Sequence, residues 1–169
     1  MTGKNFLGIP IEGDITEGAT RVEQKPIEEF QPILQAVLDD PAIVEFGWRQ
    51  YTPYFNDGDP CEFSVYGAWV RTTADAKVED EYELELDGHH AGLGWVEGIW
   101  GPDPERPGRE KRLAEKFTGS DRARYDRCQD LRGAIECGAF EHVLLEAFGD
   151  HATVTVRRDG IQVDFYEHD

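Results

Sequence analysis

The chain has 169 residues and a formal net charge of −18, with 39% hydrophobic and 11% aromatic residues. A chain of this length can bury a core of its own, so the composition predicts one folded domain rather than a disordered segment. The negative charge argues against binding to nucleic acid or to an anionic membrane surface, because both repel it. No run of about 18 apolar residues occurs, so the sequence predicts no membrane-spanning helix.

The cysteines and the N-terminal segment bear on the cellular compartment. Cys61, Cys128 and Cys137 are few and odd in number, which fits a reducing compartment better than a disulfide framework. The first residues lack the apolar stretch of a secretory signal. We therefore expect a cytoplasmic protein, built from an N-terminal arm over residues 1–24 and a single domain over residues 25–169.

The apolar pattern of the first half predicts one helix followed by strands. Helical spacing predicts a helix over residues 26–39 that kinks or restarts at Pro32. Strand-like segments over residues 44–55 and 61–71 flank a short turn and predict a β-hairpin. Strict alternation over residues 81–87 predicts a further strand, with one face buried and the other made of carboxylates.

Glycines, prolines and charges dominate the middle of the chain. Residues 88–107 are expected to be irregular because glycine and proline interrupt regular structure. A short helix is expected over residues 109–117. A longer helix follows, with Ser120 as its N-cap and Gly149 just beyond its last turn.

The C-terminal segment predicts a β-hairpin over residues 152–157 and 161–166. An Asp159-Gly160 type I′ turn would place Val156 opposite Val163. Together the elements predict an α+β fold, in which an antiparallel sheet of about five strands has helices packed on one face.

The turn after the aromatic-rich strand is a candidate cation site. Four oxygen-bearing side chains lie within this turn around a glycine, and hard cations such as Ca²⁺ prefer such ligands. These residues are Asn56, Asp57, Asp59 and Glu62. Their spacing does not match an EF-hand, and Asn and Asp also favour turns because they bond nearby backbone amides. A metal-free turn is the favoured interpretation, with a cation site as the alternative.

The same turn ends at Cys61, which a histidine could activate as a nucleophile. His89 and His90 are the nearest candidates, and this combination defines a small-hydrolase hypothesis. Nothing in the sequence brings the histidines to the turn, so the favoured interpretation of Cys61 is an inward-facing strand residue. The histidines also lack the paired spacing of zinc sites, and we expect no cofactor.

Aromatic residues around the first hairpin exceed what one hairpin face can bury. Tryptophan and tyrosine are enriched at the centres of protein interfaces, and two more tryptophans flank the glycine-rich segment. The candidate contact surface comprises Trp48, Tyr51, Tyr54, Phe55, Trp95 and Trp100. The two later tryptophans serve equally well as anchors that pin the glycine-rich segment to the core.

The charge is unevenly distributed along the chain. Residues 106–127 hold eight of the 17 basic residues and carry a net charge of +4, so the rest of the chain carries −22. Acids lie three or four residues from bases in this stretch, which favours a helix laced with salt bridges. Nucleic-acid binding is not expected, because most of the surface would repel phosphate.

Two segments resemble a known group of proteins. Residues 48–65, with the block QYTPYFNDGDPC, resemble a segment of uncharacterised small proteins of bacteriophages and bacteria. Residues 144–169, where Phe-Gly-Asp-His precedes the Val-Thr-Val and Arg-Asp-Gly hairpin, are similar to the ends of such proteins. The family has no established activity. The resemblance implies a phage or prophage origin and an intracellular setting.

These observations lead to one expected function and two alternatives. We expect a non-enzymatic phage or prophage accessory protein that binds a host or phage protein; in the sharper form of this hypothesis, its carboxylates mimic DNA phosphates. A virion or assembly component, recognisable as a symmetric homo-oligomer, is one alternative. A small hydrolase or metal-binding protein centred on residues 56–61 is the other. The sequence leaves the oligomeric state open.

Overall fold

A computed structural model describes residues 5–12, 22–55 and 57–168 of the chain. They form an α+β fold, as the sequence predicts, and every strand pair is antiparallel. The strands are β1 (Asn5–Phe6), β2 (Ile9–Pro10), β3 (Ile43–Tyr51), β4 (Ser64–Thr72), β5 (Trp95–Pro102), β6 (Glu110–Thr118), β7 (Ala152–Arg157) and β8 (Gly160–Phe165). The helices are α1 (Ile27–Leu38), α2 (Arg122–Glu136) and α3 (Glu141–Phe148), with 3₁₀ turns at Thr73–Asp75 and Glu81–Leu84.

The main sheet has four strands in the order β4-β3-β7-β8, and β1-β2 and β5-β6 form two separate two-stranded sheets. Helix α2 packs on β4, and α1 packs beside α2, so the helices form a layer over one face of the main sheet. The core lies between the two layers. Its largest members include Phe46, Trp48, Val154, Phe30, Val37, Leu131, Ile135 and Leu144. None of the helices in the described ranges has the length and apolar character needed to cross a bilayer.

Helix α1 is continuous through Pro32, the residue at which a kink or restart was expected. Pro32 removes one backbone donor from the helix. Phe30 and Val37 are nevertheless buried against the core. Tertiary packing of the apolar face therefore holds the helix together across the missing hydrogen bond.

The long helix predicted after residue 120 is divided into α2 and α3. Asp121, rather than Ser120, is the N-cap of α2, because its side chain accepts a hydrogen bond from the Arg124 N–H at 3.0 Å. Gly138 takes φ +85° between the two helices, a conformation that favours glycine. Gly149 follows the last turn of α3 with φ +84°, as predicted.

The strand predicted over residues 81–87 is not present. Glu81–Leu84 is a 3₁₀ turn capped by the Asp80 side chain, and the chain then crosses the outer edge of β4. There Glu85 forms a bridge with Trp69, and the Leu86 N–H donates to the Ala68 carbonyl at 2.9 Å. Alternate burial of Leu84 and Leu86 is real, but it arises because this short segment covers a sheet edge.

The helix predicted over residues 109–117 is also wrong, because that segment is strand β6. It pairs with β5, which lies in the segment expected to be irregular. The prolines and Gly108 of residues 103–109 supply the connecting loop. The ribbon exposes Ile99, Trp100 and Leu113.

The C-terminal hairpin is confirmed, but its register differs from the predicted one by two residues. Val156 lies opposite Ile161 and Val154 opposite Val163, so Arg158 and Asp159 form the turn. The Arg158 side chain donates to backbone carbonyls at the end of α1 and beyond it, including the Leu38 carbonyl at 3.1 Å and the Ile43 carbonyl at 2.6 Å. These hydrogen bonds stabilise Arg158 at the turn position and so favour the observed register. A shift by two leaves every side chain on its predicted face.

Candidate functional site

Rings from distant parts of the chain meet on the sheet face opposite the helices. Tyr51 ends β3 and Tyr54 follows it in the next loop; His151 immediately precedes β7; Tyr166 and His168 follow β8. We call these five residues the aromatic–histidine cluster. The His168 ring centroid lies 4.2 Å from that of Tyr51 and 4.4 Å from that of Tyr54, and the Tyr51 and Tyr166 centroids are 5.1 Å apart.

The two histidines are directly hydrogen-bonded. His151 Nδ1 and His168 Nε2 are 2.7 Å apart, and the stacked rings have centroids 5.0 Å apart. One nitrogen must carry the proton and the other must accept it. The contact therefore needs at least one neutral imidazole.

Asp150 fixes the backbone on which His151 stands. Its carboxylate accepts hydrogen bonds from the Thr52 N–H at 2.8 Å, the Thr52 hydroxyl at 2.7 Å and the His151 N–H at 2.8 Å. Partial burial alone would raise the pKa of Asp150, but the bonds from Thr52 and His151 outweigh it and lower that pKa. Asp150 is thus an ionised acceptor at neutral pH. His151 has φ +55°, which these contacts help to hold.

Gln50 connects the cluster to the core from the other side of the sheet. The fully buried Gln50 side chain donates to the Leu144 carbonyl at 2.9 Å and to the Gly149 carbonyl at 2.7 Å. Its carbonyl oxygen accepts the indole N–H of Trp48 at 2.9 Å. The end of α3 and the segment that carries His151 are therefore tied to β3.

Arg49 and more tyrosines border the cluster. The Arg49 guanidinium lies 4.6 Å from the Tyr82 ring centroid and 5.8 Å from that of Tyr166, and it forms a 2.9 Å ion pair with Glu85. Tyr66 lies beside Tyr51, with ring centroids 4.9 Å apart. Partial burial and the neighbouring tyrosines raise the pKa values of Tyr51 and Tyr166. Their phenols therefore remain protonated at neutral pH and available to donate hydrogen bonds.

Only some residues of the predicted contact surface belong to the cluster. Tyr51 and Tyr54 belong to it, and Tyr54 is 61% exposed. Phe55 is exposed beside Tyr54 in the sequence. Trp48 is 0% exposed, and its indole is bound to Gln50. Trp48 is therefore a core residue and is not available to a partner.

The other two predicted tryptophans lie on the β5-β6 ribbon, in a different sheet from the cluster. Trp95 stacks on His89 with ring centroids 4.7 Å apart, and its indole N–H donates to Glu97 at 3.1 Å. Trp100 is 61% exposed. The six residues predicted as one surface are therefore divided: Trp48 lies in the core, two belong to the cluster and two to the ribbon, and Phe55 is exposed outside all three.

The predicted cation turn has no metal-binding geometry in the part that the structure describes. Asp57, Asp59 and Glu62 are exposed, whereas Asn56 lies outside the described residues. Within the described ranges, no group of three or more His, Cys, Asp or Glu side chains is placed to hold a metal ion. Asp57 has φ +35° next to a glycine with φ +92°, which is typical of a tight turn.

The residues of the hydrolase hypothesis have other environments. Cys61 is exposed in the loop before β4, so the inward-facing position expected for it is wrong. His90 is buried; its Nδ1 accepts the N–H groups of Gly92 and Leu93, both at 3.1 Å, and its Nε2 lies 2.6 Å from the Val70 carbonyl. This pattern fixes a neutral tautomer with the proton on Nε2. Both nitrogens are used to hold the chain, and His90 has no lone pair left for a proton transfer.

Neither of the two best-formed depressions among the described residues adjoins the cluster. One is a packing crevice without room for a water molecule, and it is lined by Leu38, Ile43, Val44, Phe46, Val156 and Arg158. The other is a shallow surface hollow along α2. Comparison with protein-family models, with curated proteins and with solved structures gives no match to this chain.

Three members of the cluster were not selected from the sequence as contact residues: His151, Tyr166 and His168. Only the strand pairings of β7 bring them to Tyr51. The available signal was the Phe-Gly-Asp-His segment that closes α3, in which Gly149 allows the turn and Asp150 binds Thr52.

Proposed function

We propose that this chain is a non-enzymatic accessory protein of a bacteriophage or prophage, and that it binds a host or phage protein through the aromatic–histidine cluster. The observation that supports binding is a partly exposed set of stacked tyrosine and histidine rings on the helix-free face of the sheet. The phage origin rests on the sequence resemblance of residues 48–65 and 144–169.

The composition of the cluster suits recognition of another protein. Tyrosine offers a large, rigid contact area with a polar end and has few side-chain rotations to lose on binding. Arg49 adds a cation held between Tyr82 and Tyr166. Arg and Tyr are both enriched among the residues that dominate binding energies.

The cluster is also held in place before any partner arrives. Gln50 ties its base to α3, and Asp150 ties the His151 backbone to Thr52. A surface that is already ordered loses less conformational freedom on binding.

The structure supports partner binding through the rings of the cluster better than it supports binding by DNA mimicry. The mimic hypothesis calls for an array of carboxylates at roughly phosphate spacing, and the strand expected over residues 81–87 would have supplied one such row. That segment is a 3₁₀ turn followed by an edge-covering stretch, so its acids do not form a regular row. A net charge of −18 still favours basic partners at low salt.

The test is affinity capture from phage-infected bacterial cells with wild type and two variants. Tyr54→Ala removes a ring of the cluster, and Trp100→Ala removes an equally exposed ring of the ribbon. We expect Tyr54→Ala to lose the captured protein and Trp100→Ala to retain it. Retention by Tyr54→Ala together with loss by Trp100→Ala would assign the contact to the ribbon and contradict the proposal.

A further inference from the structure

The two edges of the main sheet differ in whether another segment of the chain covers them. The β4 edge is covered by residues 85 and 86, through the Trp69–Glu85 bridge and the bond from the Leu86 N–H to the Ala68 carbonyl. Strand β8 forms the other edge, and no strand within residues 5–12, 22–55 or 57–168 pairs with its outer side. An open edge exposes backbone groups that another strand can pair with.

The β7-β8 register shows which backbone groups point outward from β8. The Tyr166 N–H donates to the His151 carbonyl at 2.7 Å, and the register between the strands is continuous. Backbone groups alternate in direction along an antiparallel strand. The odd-numbered residues Ile161, Val163 and Phe165 therefore direct their N–H and C=O groups away from β7.

The same three residues form an exposed apolar stripe. Ile161, Val163 and Phe165 lie opposite Val156, Val154 and Ala152 of β7. Those β7 residues are buried beneath the helices, whereas the β8 residues are 51%, 45% and 72% exposed. The apolar face of the sheet thus continues one strand beyond its helical cover.

We propose that the β8 edge pairs with the β8 edge of a second copy of this chain, in an antiparallel arrangement with a twofold axis at Val163. Val163 then lies opposite Val163 of the second copy, and Ile161 lies opposite Phe165. Each of these pairs can exchange both backbone hydrogen bonds, because their N–H and C=O groups point outward. The apolar stripe of one copy meets the apolar stripe of the other.

The other face of β8 is self-complementary in the same register. Gln162 donates to Asp164 of its own strand at 2.8 Å. It also lies opposite Asp164 of the second copy, so the second N–H of its amide meets a carboxylate. Gly160 lies opposite Tyr166, and no atom lies within 4 Å of the position that a Gly160 Cβ would occupy, which leaves room for the ring. A register shifted by one residue would place the apolar stripes on opposite faces.

The negative charge of the two copies weakens the dimer at low salt but does not prevent it. Each copy carries −18, so two copies repel at long range. Near the edge, however, Arg157 and Arg158 offset most of the charge of Asp159, Asp164 and Glu167. Long-range repulsion is screened beyond about 8 Å at physiological salt. We therefore expect the dimer to tighten as salt rises, the opposite of an interface held by ion pairs.

The experiment measures mass by size-exclusion chromatography with light scattering over a range of concentrations. The full chain is expected at twice its 19.1 kDa mass, as a closed twofold dimer and not as the larger symmetric assembly of a virion component. Val163→Lys, at an exposed position, places two ammonium groups together at the axis and is expected to give a monomer with an unchanged circular dichroism spectrum. Gln162→Lys introduces the same charge one residue away, opposite Asp164, and is expected to leave the dimer intact.

A covalent test fixes the register. In a background in which the exposed Cys61 and Cys137 are serine, Val163→Cys is expected to oxidise to a disulfide-linked dimer, because directly opposite residues lie within disulfide range. Ile161→Cys, which faces Phe165, is expected to remain unlinked. A wild-type monomer at all concentrations, or cross-linking by Ile161→Cys but not by Val163→Cys, would overturn the proposal. If the wild type is a monomer, the β8 edge would instead be a site for the N-terminal segment of the same chain or for a different protein.

Discussion

Strand β3 places aromatic residues on both faces of the main sheet, and its last two, Trp48 and Tyr51, have opposite environments. Trp48 is buried beneath the helices, where it contacts Phe148 and donates to Gln50. Tyr51, three residues later, lies on the helix-free face and makes tilted ring contacts with Tyr66, Tyr166 and His168. One short segment thus supplies a residue that holds the fold and a residue that forms a surface.

This difference explains the aromatic excess that the sequence shows near the first hairpin. The helix-covered face uses rings for their buried area, which stabilises the fold. On the helix-free face, Trp69 of β4 is buried as well, but the rings gathered at the end of β3 belong to more polar residues, whose hydroxyl and imidazole groups keep hydrogen bonds available at the surface. Changes on the first face should therefore alter stability, and changes on the second should alter binding.

The largest effect is expected from Trp48→Ala. It removes a fully buried ring and leaves the Gln50 carbonyl oxygen without its donor. Large-to-small substitutions of this kind cost about 3–5 kcal/mol of the free energy of unfolding. Urea denaturation followed by circular dichroism measures this cost. A loss below about 1 kcal/mol would mean that Trp48 is not a core residue.

Gln50→Ala is expected to cost somewhat less, about 2–3 kcal/mol, because it leaves the Trp48 indole N–H without its acceptor and removes the side-chain donor to the Leu144 and Gly149 carbonyls. It should also loosen the segment that carries His151. Amide hydrogen exchange at residues 149–151 should rise in this variant. Unchanged exchange at these residues would show that Gln50 does not couple the buried core to the aromatic–histidine cluster.

Asp40 gives the helix side of the molecule a pH dependence. Burial alone would raise the pKa of Asp40, but hydrogen bonds from Arg124, the Ala42 N–H and Arg127 outweigh it and lower the pKa from 3.8 to about 2. A pKa lowered in the folded state stabilises above the unfolded value, and this stabilisation is lost as the pH falls from about 4 to about 2.

The Asp40→Asn variant tests this dependence. It should remove about 2 kcal/mol of stability at pH 7 and flatten the fall in stability between pH 4 and pH 2, as measured by thermal unfolding at each pH. Asp126→Asn is the control, because the Asp126 ion pair with Arg122 is exposed and exposed pairs contribute about 0–1 kcal/mol. Equal pH profiles for Asp40→Asn and wild type would contradict the assignment.

The smallest effect on stability is expected from Tyr54→Ala on the helix-free face. Exposed positions away from the core usually change stability by no more than about 0.5 kcal/mol. The melting temperature should therefore stay close to that of wild type. A large fall would show that the cluster holds the fold, and would remove the contrast between the two faces.

Some of this organisation is readable in the sequence, because local patterns decide it. The apolar spacing of α1, the first hairpin and the apolar alternation of the last two strands all lead to the observed elements. The predictions for residues 81–87 and 109–117 are wrong, because a few alternating or charged residues fit both the strand period of two and the helix period of 3.6. Pairing with β5 across the loop at Gly108 makes residues 110–118 a strand.

The cluster could be foreseen only in part, because it depends on register. The aromatic excess selects Tyr51 and Tyr54. In the predicted register of the last hairpin, Tyr166 lies beside Thr153; in the observed register it lies beside His151. The bonds from Arg158 to the end of α1 and the chain beyond it accompany that two-residue difference, and no local pattern contains them.

We propose the aromatic–histidine cluster as the surface that contacts the partner protein. The most direct measurement is NMR of the aromatic ring resonances of the full-length protein, before and after addition of the captured partner. We expect shifts for Tyr54, His151 and His168, with Trp95 and Trp100 unchanged. Shifts confined to Trp95 and Trp100, with the cluster unchanged, would contradict it.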